Sequence, residues 1–348
     1  HTLVENELMN RKLHNAAREY ITYRHDHKPD IFKPSKTVME YRYPHLLEYG
    51  KAVQHAFWLF SEYNYDKDVD DILSGMSEHE RQTAERAMLA VGQVEAKVKG
   101  FWGNLHNTIQ SEEIWDVGSI FSESEARHKD LYVHVLKLCD LLDDFSRIDE
   151  IPALQKRSAY LSKHTNTQGT REDVLCNLIM FSIFVENISL FSQFLVLMSF
   201  NKHKGMLKGM VNGIAASTKE EDLHAKFGFE LVKIIREENP RLWTNKFKQE
   251  VLEFAFSNLE VELELIDWIF DGQDLEFLSL EDARRYIQKR FYDSLNTLKL
   301  HDVVFDQDTT ATDWFDEEVL LSASVDFFHK RSINYTKRSQ SFTADDLF

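Results

Sequence analysis

Apolar residues return every three or four positions over most of the chain, a period that predicts a succession of long helices. Pro44, a residue suited to a first turn, opens one that runs through Leu46, Leu47, Val53, Phe57 and Phe60 to about Tyr63, with Trp58 inside it. Ser77 followed three residues later by Glu80 is a capping box, and the helix it starts stripes Ala84, Met88, Val91, Val98, Phe101 and Leu105 along one face. A third helix, over 111–145, is striped by Ile114, Val117, Phe121, Val135 and Leu142. The fourth opens at Thr170 with Asp173 three further on, and the fifth covers 205–238, ahead of Pro240. Amphipathic helices then cover 241–270 and 279–300, and a short one 313–328. Residues 1–43 are mixed and contain Pro29 and Pro34, so an N-terminal arm is expected there, followed by one helical domain over 44–329. Residues 330–348 lack periodicity and are rich in Ser, Thr, Lys and Arg, which predicts a flexible C-terminal tail.

Composition sharpens this picture. With only 5 Pro and 12 Gly in 348 residues, the chain reads as all-α. A net charge of −17 argues against direct nucleic-acid binding, which needs clustered Lys and Arg. Cys139 and Cys176 are the only cysteines and sit in apolar helical patterns, as inert thiols in a reducing cytoplasm would. Nothing near His1 resembles a cleavable signal, and the start is read as a processing boundary. The stretch 174–200 is apolar and long enough to cross a membrane, yet it carries Glu186, Asn187, Ser189, Ser192 and Gln193. A buried central helix of a soluble bundle is the expectation, with no membrane.

Ionisable residues interrupt four of the apolar stripes. Glu125 with His128, and Glu221 with His224, are Glu-x-x-His pairs whose spacing of three places both side chains on one helix face. One such pair is a weak signal. Two other helices, however, each put a single glutamate on the core-facing stripe, Glu95 and Glu186. Four carboxylates inside one bundle need cationic partners, because an unpaired buried carboxylate costs several kcal/mol or takes up a proton. Two divalent ions would serve, held by Glu95, Glu125, His128, Glu186, Glu221 and His224 in a ferritin-like bundle with a dinuclear metal-carboxylate core and extra flanking helices. Oxygen ligands with one imidazole per ion suit Fe or Mn.

From about Tyr41 to the C-terminus the sequence resembles the small subunit of class I ribonucleotide reductase. Tyr132 lies seven residues after Glu125 and four after His128, the offset at which that family places a tyrosine beside the metal pair, commonly as the seat of a stable radical. Ala56-Phe57-Trp58 resembles the early Phe-Trp whose indole relays the radical outward. Met76-Ser77-Glu78-His79-Glu80 resembles the stretch that opens the helix of the first ligand, and Ser217-Thr218-Lys219-Glu220-Glu221-Asp222-Leu223-His224 the last ligand pair. Tyr335 matches the C-terminal relay tyrosine, and the terminal residues Asp345, Asp346, Leu347 and Phe348 resemble the peptide that docks on the large subunit. The resemblance implies a homodimeric small subunit of ribonucleoside-diphosphate reductase. Such a subunit stores a one-electron oxidant at two Mn, two Fe or mixed Mn/Fe ions, passes it to the large catalytic subunit, and is active only with that partner. Allosteric control is expected in the large subunit.

Some positions depart from the commonest pattern. Glu95 and Glu220 stand where many relatives have Asp; the first is associated with subclasses that keep the oxidant on the metals, the second with the link between His128 and Trp58. Lys99, together with Thr218-Lys219-Glu220-Glu221, resembles the dimanganese subclass, while Tyr132 sets the chain apart from the subclass with Phe at that position. Two other readings compete. A ligand-binding oxidase, desaturase or monooxygenase component would share the ligands but give Trp58 and the tail no role, and a helical scaffold would bind no metal.

Overall fold

The computed structural model describes residues 2–26, 29–98 and 100–321. Lys99, Tyr335 and the whole tail at 330–348 lie outside the described residues. Two short helices, α1 (Thr2–Asn10) and α2 (His14–Asp26), occupy the expected arm. The main helices that follow are α3 (Leu47–His55), α4 (Glu78–Val98), α5 (Glu112–Leu138), α6 (Pro152–His164), α7 (Arg171–Lys204), α8 (Lys208–Glu238), α9 (Asn245–Phe270) and α10 (Leu280–Thr297), joined by loops and by short helical segments such as Asp66–Asp70, Phe101–Leu105 and Leu142–Ser146. Among the described residues there is no strand, only an isolated bridge between Leu275 and Leu278.

Local chemistry sets where several of these helices begin. At α7 the Thr170 hydroxyl accepts the Asp173 N–H at 3.2 Å while the Asp173 carboxylate accepts the Thr170 N–H at 2.9 Å. Ser77 and Glu80 reciprocate in the same way at α4, and Thr244 and Ser279 cap α9 and α10. At the other end of α7, Gly205 takes φ +67°, the left-handed conformation that closes a helix without a Cβ penalty.

Four helices make the core. α4 packs on α5 and α7, and α8 packs on the same two, so the four close around a common axis. α9 lies outside against α4 and α6, and α10 covers α7 and α9. The most apolar stretch of α7 has a mean hydropathy of 1.9 and is 83% buried, as a central helix of a bundle should be. Within α7, Phe181–Ser189 winds as a π-helix, and all nine of its residues are buried.

Two boundaries and one element differ from the periodicity. α3 stops at His55, and the chain runs on in non-helical form through residues 57–59; this exit turns Trp58 inward, 4% exposed, and Phe57 outward, 48% exposed. Trp58 is thus not helical. The third predicted helix ends at Leu138, where Asp140 takes φ +55° and breaks it before Leu142. α6 is an element that the apolar pattern does not announce, because its inward residues include Arg157, Tyr160 and His164. Within the expected arm, Ile31 and Phe32 are buried, and the Ile31 N–H donates to Glu238 Oε2 at 2.7 Å at the end of α8. Cys139 and Cys176 are half-buried free thiols, which burial pushes up to about 12 and about 11 respectively, in keeping with inert side chains.

Candidate metal centre

The helical phase read from the sequence brings all six ligand candidates together at the centre of the four-helix core. Glu95 comes from α4, Glu125 and His128 from α5, Glu186 from the π-helical part of α7, and Glu221 and His224 from α8. None is more than 1% exposed. Their donor atoms form two overlapping sets, Glu95, Glu125, His128 and Glu221, and Glu125, Glu186, Glu221 and His224, each with its atoms within 4.8 Å of one another. Glu125 and Glu221 belong to both. Each set therefore offers three carboxylates and one imidazole, and two carboxylates can bridge.

The electrostatics of the cluster point the same way. Both oxygens of Glu95 and of Glu125, with Glu186 Oε2, have no hydrogen-bond partner among the protein groups. His128 Nδ1 and Glu221 Oε1 come within 2.7 Å without hydrogen-bond alignment, as two donors facing one point do. Burial, against the pull of the histidines, holds the Glu95 carboxyl well above the carboxylate range, and burial with the charge of Glu221 does so for Glu186. Burial alone would lower both histidines, yet the charge of Glu221 raises them well above the ordinary imidazole value. Four buried carboxylates, two of them without a donor at either oxygen, fit a pair of cations, and the oxygen-rich set fits hard divalent ions.

Groups outside the cluster fix how these side chains face. Each imidazole turns Nδ1 inward and Nε2 outward: His128 Nε2 meets Glu220 Oε2 at 2.7 Å, and His224 Nε2 meets Ser124 Oγ at 3.1 Å. The Trp102 indole N–H donates to Glu186 Oε1 at 2.8 Å. Glu220 also accepts the Trp58 indole N–H at 3.2 Å, and the Trp58 ring stacks on His128 with centroids 5.8 Å apart. Arg127 closes the group, donating to Glu220 at 3.1 and 3.3 Å and lying over the rings of Phe57 and Trp58. Tyr132 sits one turn beyond His128 on α5, buried, its hydroxyl donating to Ser217 Oγ at 3.4 Å; burial foremost, then the charge of Glu95, keeps its proton on.

A family model described as the ribonucleotide reductase small chain matches residues 35–311. The chain belongs to that family. The ribonucleotide reductase small chain is an oxidoreductase component, and the two buried carboxylate and histidine sets of this chain support a dinuclear metal centre. Relatives include a probable ribonucleoside-diphosphate reductase small subunit of Invertebrate iridescent virus 3, 24% identical over 323 residues that cover 87% of this chain and 85% of the relative. A ribonucleoside-diphosphate reductase subunit beta of Chlamydia pneumoniae is 31% identical over 88 residues, a quarter of each chain. Among solved structures, the ribonucleotide reductase R2 subunit from Clostridium botulinum shares the fold with TM-score 0.74 at 16% identity, covering 83% of this small chain and 98% of its own. The dimanganese(II)-NrdF of Streptococcus sanguinis does so with TM-score 0.68 at 15% identity, covering 81% and 97%. An R2-like ligand-binding oxidase with a reconstituted Mn/Fe cofactor follows with TM-score 0.57 at 17% identity, covering 76% and 96%.

Three partners of the small chain's centre escape a reading of the sequence: Trp102, Ser124 and Arg127. Trp102 reads as one more aromatic of the core. Ser124 and Arg127 directly precede Glu125 and His128, and that adjacency is the only signal they give.

Proposed function

We propose that Glu95, Glu125, His128, Glu186, Glu221 and His224 hold two ions of Mn or Fe, and that this small chain delivers a one-electron oxidant from them to a large catalytic subunit, where ribonucleotides are reduced. When bound, the metal pair supplies the oxidising equivalent. The observation that carries the reading is the hydrogen-bonded line from His128 through Glu220 to Trp58, at 2.7 and 3.2 Å, which joins the cluster to the indole. In this line Glu220 can hold the proton at Nε2 of His128 and orient the Trp58 N–H, while Arg127 balances its charge. The neighbouring apolar residues of α5 and α7 exclude water from the cluster and from Tyr132. Tyr132, next to the cluster, is the side chain of this chain suited to yield an electron with its phenolic proton.

Glu95 in place of the commoner Asp favours storage of the oxidant on manganese, and the likeness at Lys99, outside the described residues, supports the same subclass. Tyr335 and the terminal residues, also outside them, are assigned to relay and docking on the large subunit, with the small chain acting as a homodimer. The test is to load the protein separately with Fe, Mn and mixtures, activate it, and record electron paramagnetic resonance alongside ribonucleotide reduction with the large subunit. Two ions per chain and turnover that requires Trp58 are expected. Well under one ion per chain after reconstitution would sink the metal reading, and a tyrosyl signal that tracks activity would move the oxidant to Tyr132.

A further inference from the structure

The turn of α7 that carries Glu186 is wound as a π-helix, and such winding shifts the ladder of backbone hydrogen bonds so that a carbonyl can be left to find its partner outside the helix. The carbonyl of Asn187, the residue directly after Glu186, accepts from Arg290 Nε at 2.7 Å. Another nitrogen of the same guanidinium, Nη2, donates to Asn187 Oδ1, and Asn187 Nδ2 donates to Ser294 Oγ at 2.7 Å. α10 thus grips this residue by its backbone and by its side chain. Arg290 is in turn fixed. It is 8% exposed, lies 3.8 Å over the Phe191 ring, and through Nη1 donates to Tyr286 Oη and to Asp316 Oδ1, each at 3.2 Å. The Tyr286 hydroxyl donates to the same Asp316 oxygen at 3.1 Å. Asp316, whose side chain is 37% exposed, opens the segment Asp316–Leu321, the last one described.

We propose that Arg290, anchored by Asp316, is a positioning residue for Glu186. By binding both the carbonyl and the side chain of Asn187, it holds Phe181–Ser189 in that winding. Rewinding the segment as an α-helix would turn one side of it by about 100° relative to the other and carry Glu186 off the cluster. A buried guanidinium is costly to desolvate, and here its donors go to the residue beside Glu186 and to the Tyr286–Asp316 pair that fixes it. The inference rests on the reading of Glu186 as a metal ligand.

The test uses the full chain and Mn(II) alone as probe, titrated with electron paramagnetic resonance, beside circular dichroism and thermal melting. Wild type is expected to take up two ions and Glu186→Ala to lose one of them. Arg290→Gln should weaken binding of that same ion by about 10- to 100-fold, the range for groups that orient ligands, and change the bound-Mn spectrum while helix content is kept. Arg290→Lys, which keeps a charged donor, should recover part of the loss, and Asp316→Asn should show a smaller loss in the same direction. Arg236→Gln is the control, since Arg236 donates to the Leu298 carbonyl at 2.9 Å away from the cluster. Wild-type affinity and spectrum in Arg290→Gln, or a loss no larger than in Arg236→Gln, would overturn the proposal. Should Arg290→Gln fail to fold, Asp316→Asn decides by the same criteria. Two ions retained by Glu186→Ala would overturn the ligand assignment itself, an outcome separate from failure of the Arg290 grip.

Discussion

Each histidine of the centre is held from behind, by Glu220 for His128 and by Ser124 for His224. An imidazole anchored at Nε2 has only Nδ1 left to offer an ion, so these partners set which nitrogen faces the cluster as well as the ring orientation. Ser124→Ala is therefore expected to weaken metal binding by about 10-fold in Mn(II) titration, without loss of helix content. Glu220→Gln keeps the shape but removes the charge that pairs with Arg127. It should lower turnover with the large subunit by about 10- to 100-fold while two ions per chain are retained; loss of metal in step with turnover would assign Glu220 to holding the site alone. The six residues that the structure brings together were legible in the sequence because an ionisable side chain on an apolar stripe is physically conspicuous. Trp102, Ser124 and Arg127 were not, since an indole among aromatics and polar residues inside a charged helix look ordinary until the atoms they bond are known. Glu220 came from resemblance rather than pattern, and the structure gives its longer side chain contact with His128, Trp58 and Arg127 together.

At the scale of elements, helices with a capping box and an apolar stripe were readable, whereas those that bury polar groups were not. α6 turns Arg157 inward, where Nε donates to Gln93 Oε1 at 2.9 Å and Nη1 to Gln193 Oε1 at 3.3 Å, so polar Arg157 and His164 interrupt the apolar signal of Leu154 and Leu161 on its buried face. The same helix ends at His164, buried, facing Asn177 Oδ1 at 3.1 Å and the ring of Phe254. Burial lowers this imidazole below its ordinary value of 6.5, against the hydrogen bond that its Nδ1–H donates to Asn177 Oδ1. The unfolded chain then binds the proton more readily than the folded one, so His164 contributes stability that is present above 6.5 and is lost as pH falls through the lowered folded value. Melting temperatures measured from neutral to mildly acidic pH should fall less steeply for His164→Gln than for wild type, and parallel curves would rule this contribution out. α5 crosses the short helix Phe101–Leu105 so closely that a Cβ at Gly118 would lie 2.5 Å from the Trp102 carbonyl oxygen. Gly118→Ala should cost about 1–3 kcal/mol in urea unfolding, the usual penalty for overpacking, because backbone rather than a mobile side chain must yield. The truncated α3 shows a different limit: Phe57 and Phe60 fit a helical period, but the chain leaves the helix at His55 so that Trp58 can reach Glu220.

Among the described residues four helices close a ring, with α9 and α10 laid over it and α3 and α6 packed at its sides, and the cluster sits where all four core helices meet. This arrangement makes α7 depend on partners from both sides in sequence. α4 and α5 precede it, while α8, α9 and α10, which cover the rest of it, are synthesised later. An 18-residue window of mean hydropathy 1.9 is long and apolar enough to enter a bilayer, and only the covering helices make it a water-soluble core. A nascent chain that has reached residue 207 thus carries a segment with the physical properties of a membrane anchor and few of the surfaces that conceal it. Expression of residues 1–207 should yield protein that pellets with membranes or aggregates, whereas extension through α10 should restore solubility, as fractionation of the two products would show. For this small chain the order of synthesis sets a deadline, and chaperone demand should peak between completion of α7 and the arrival of α8.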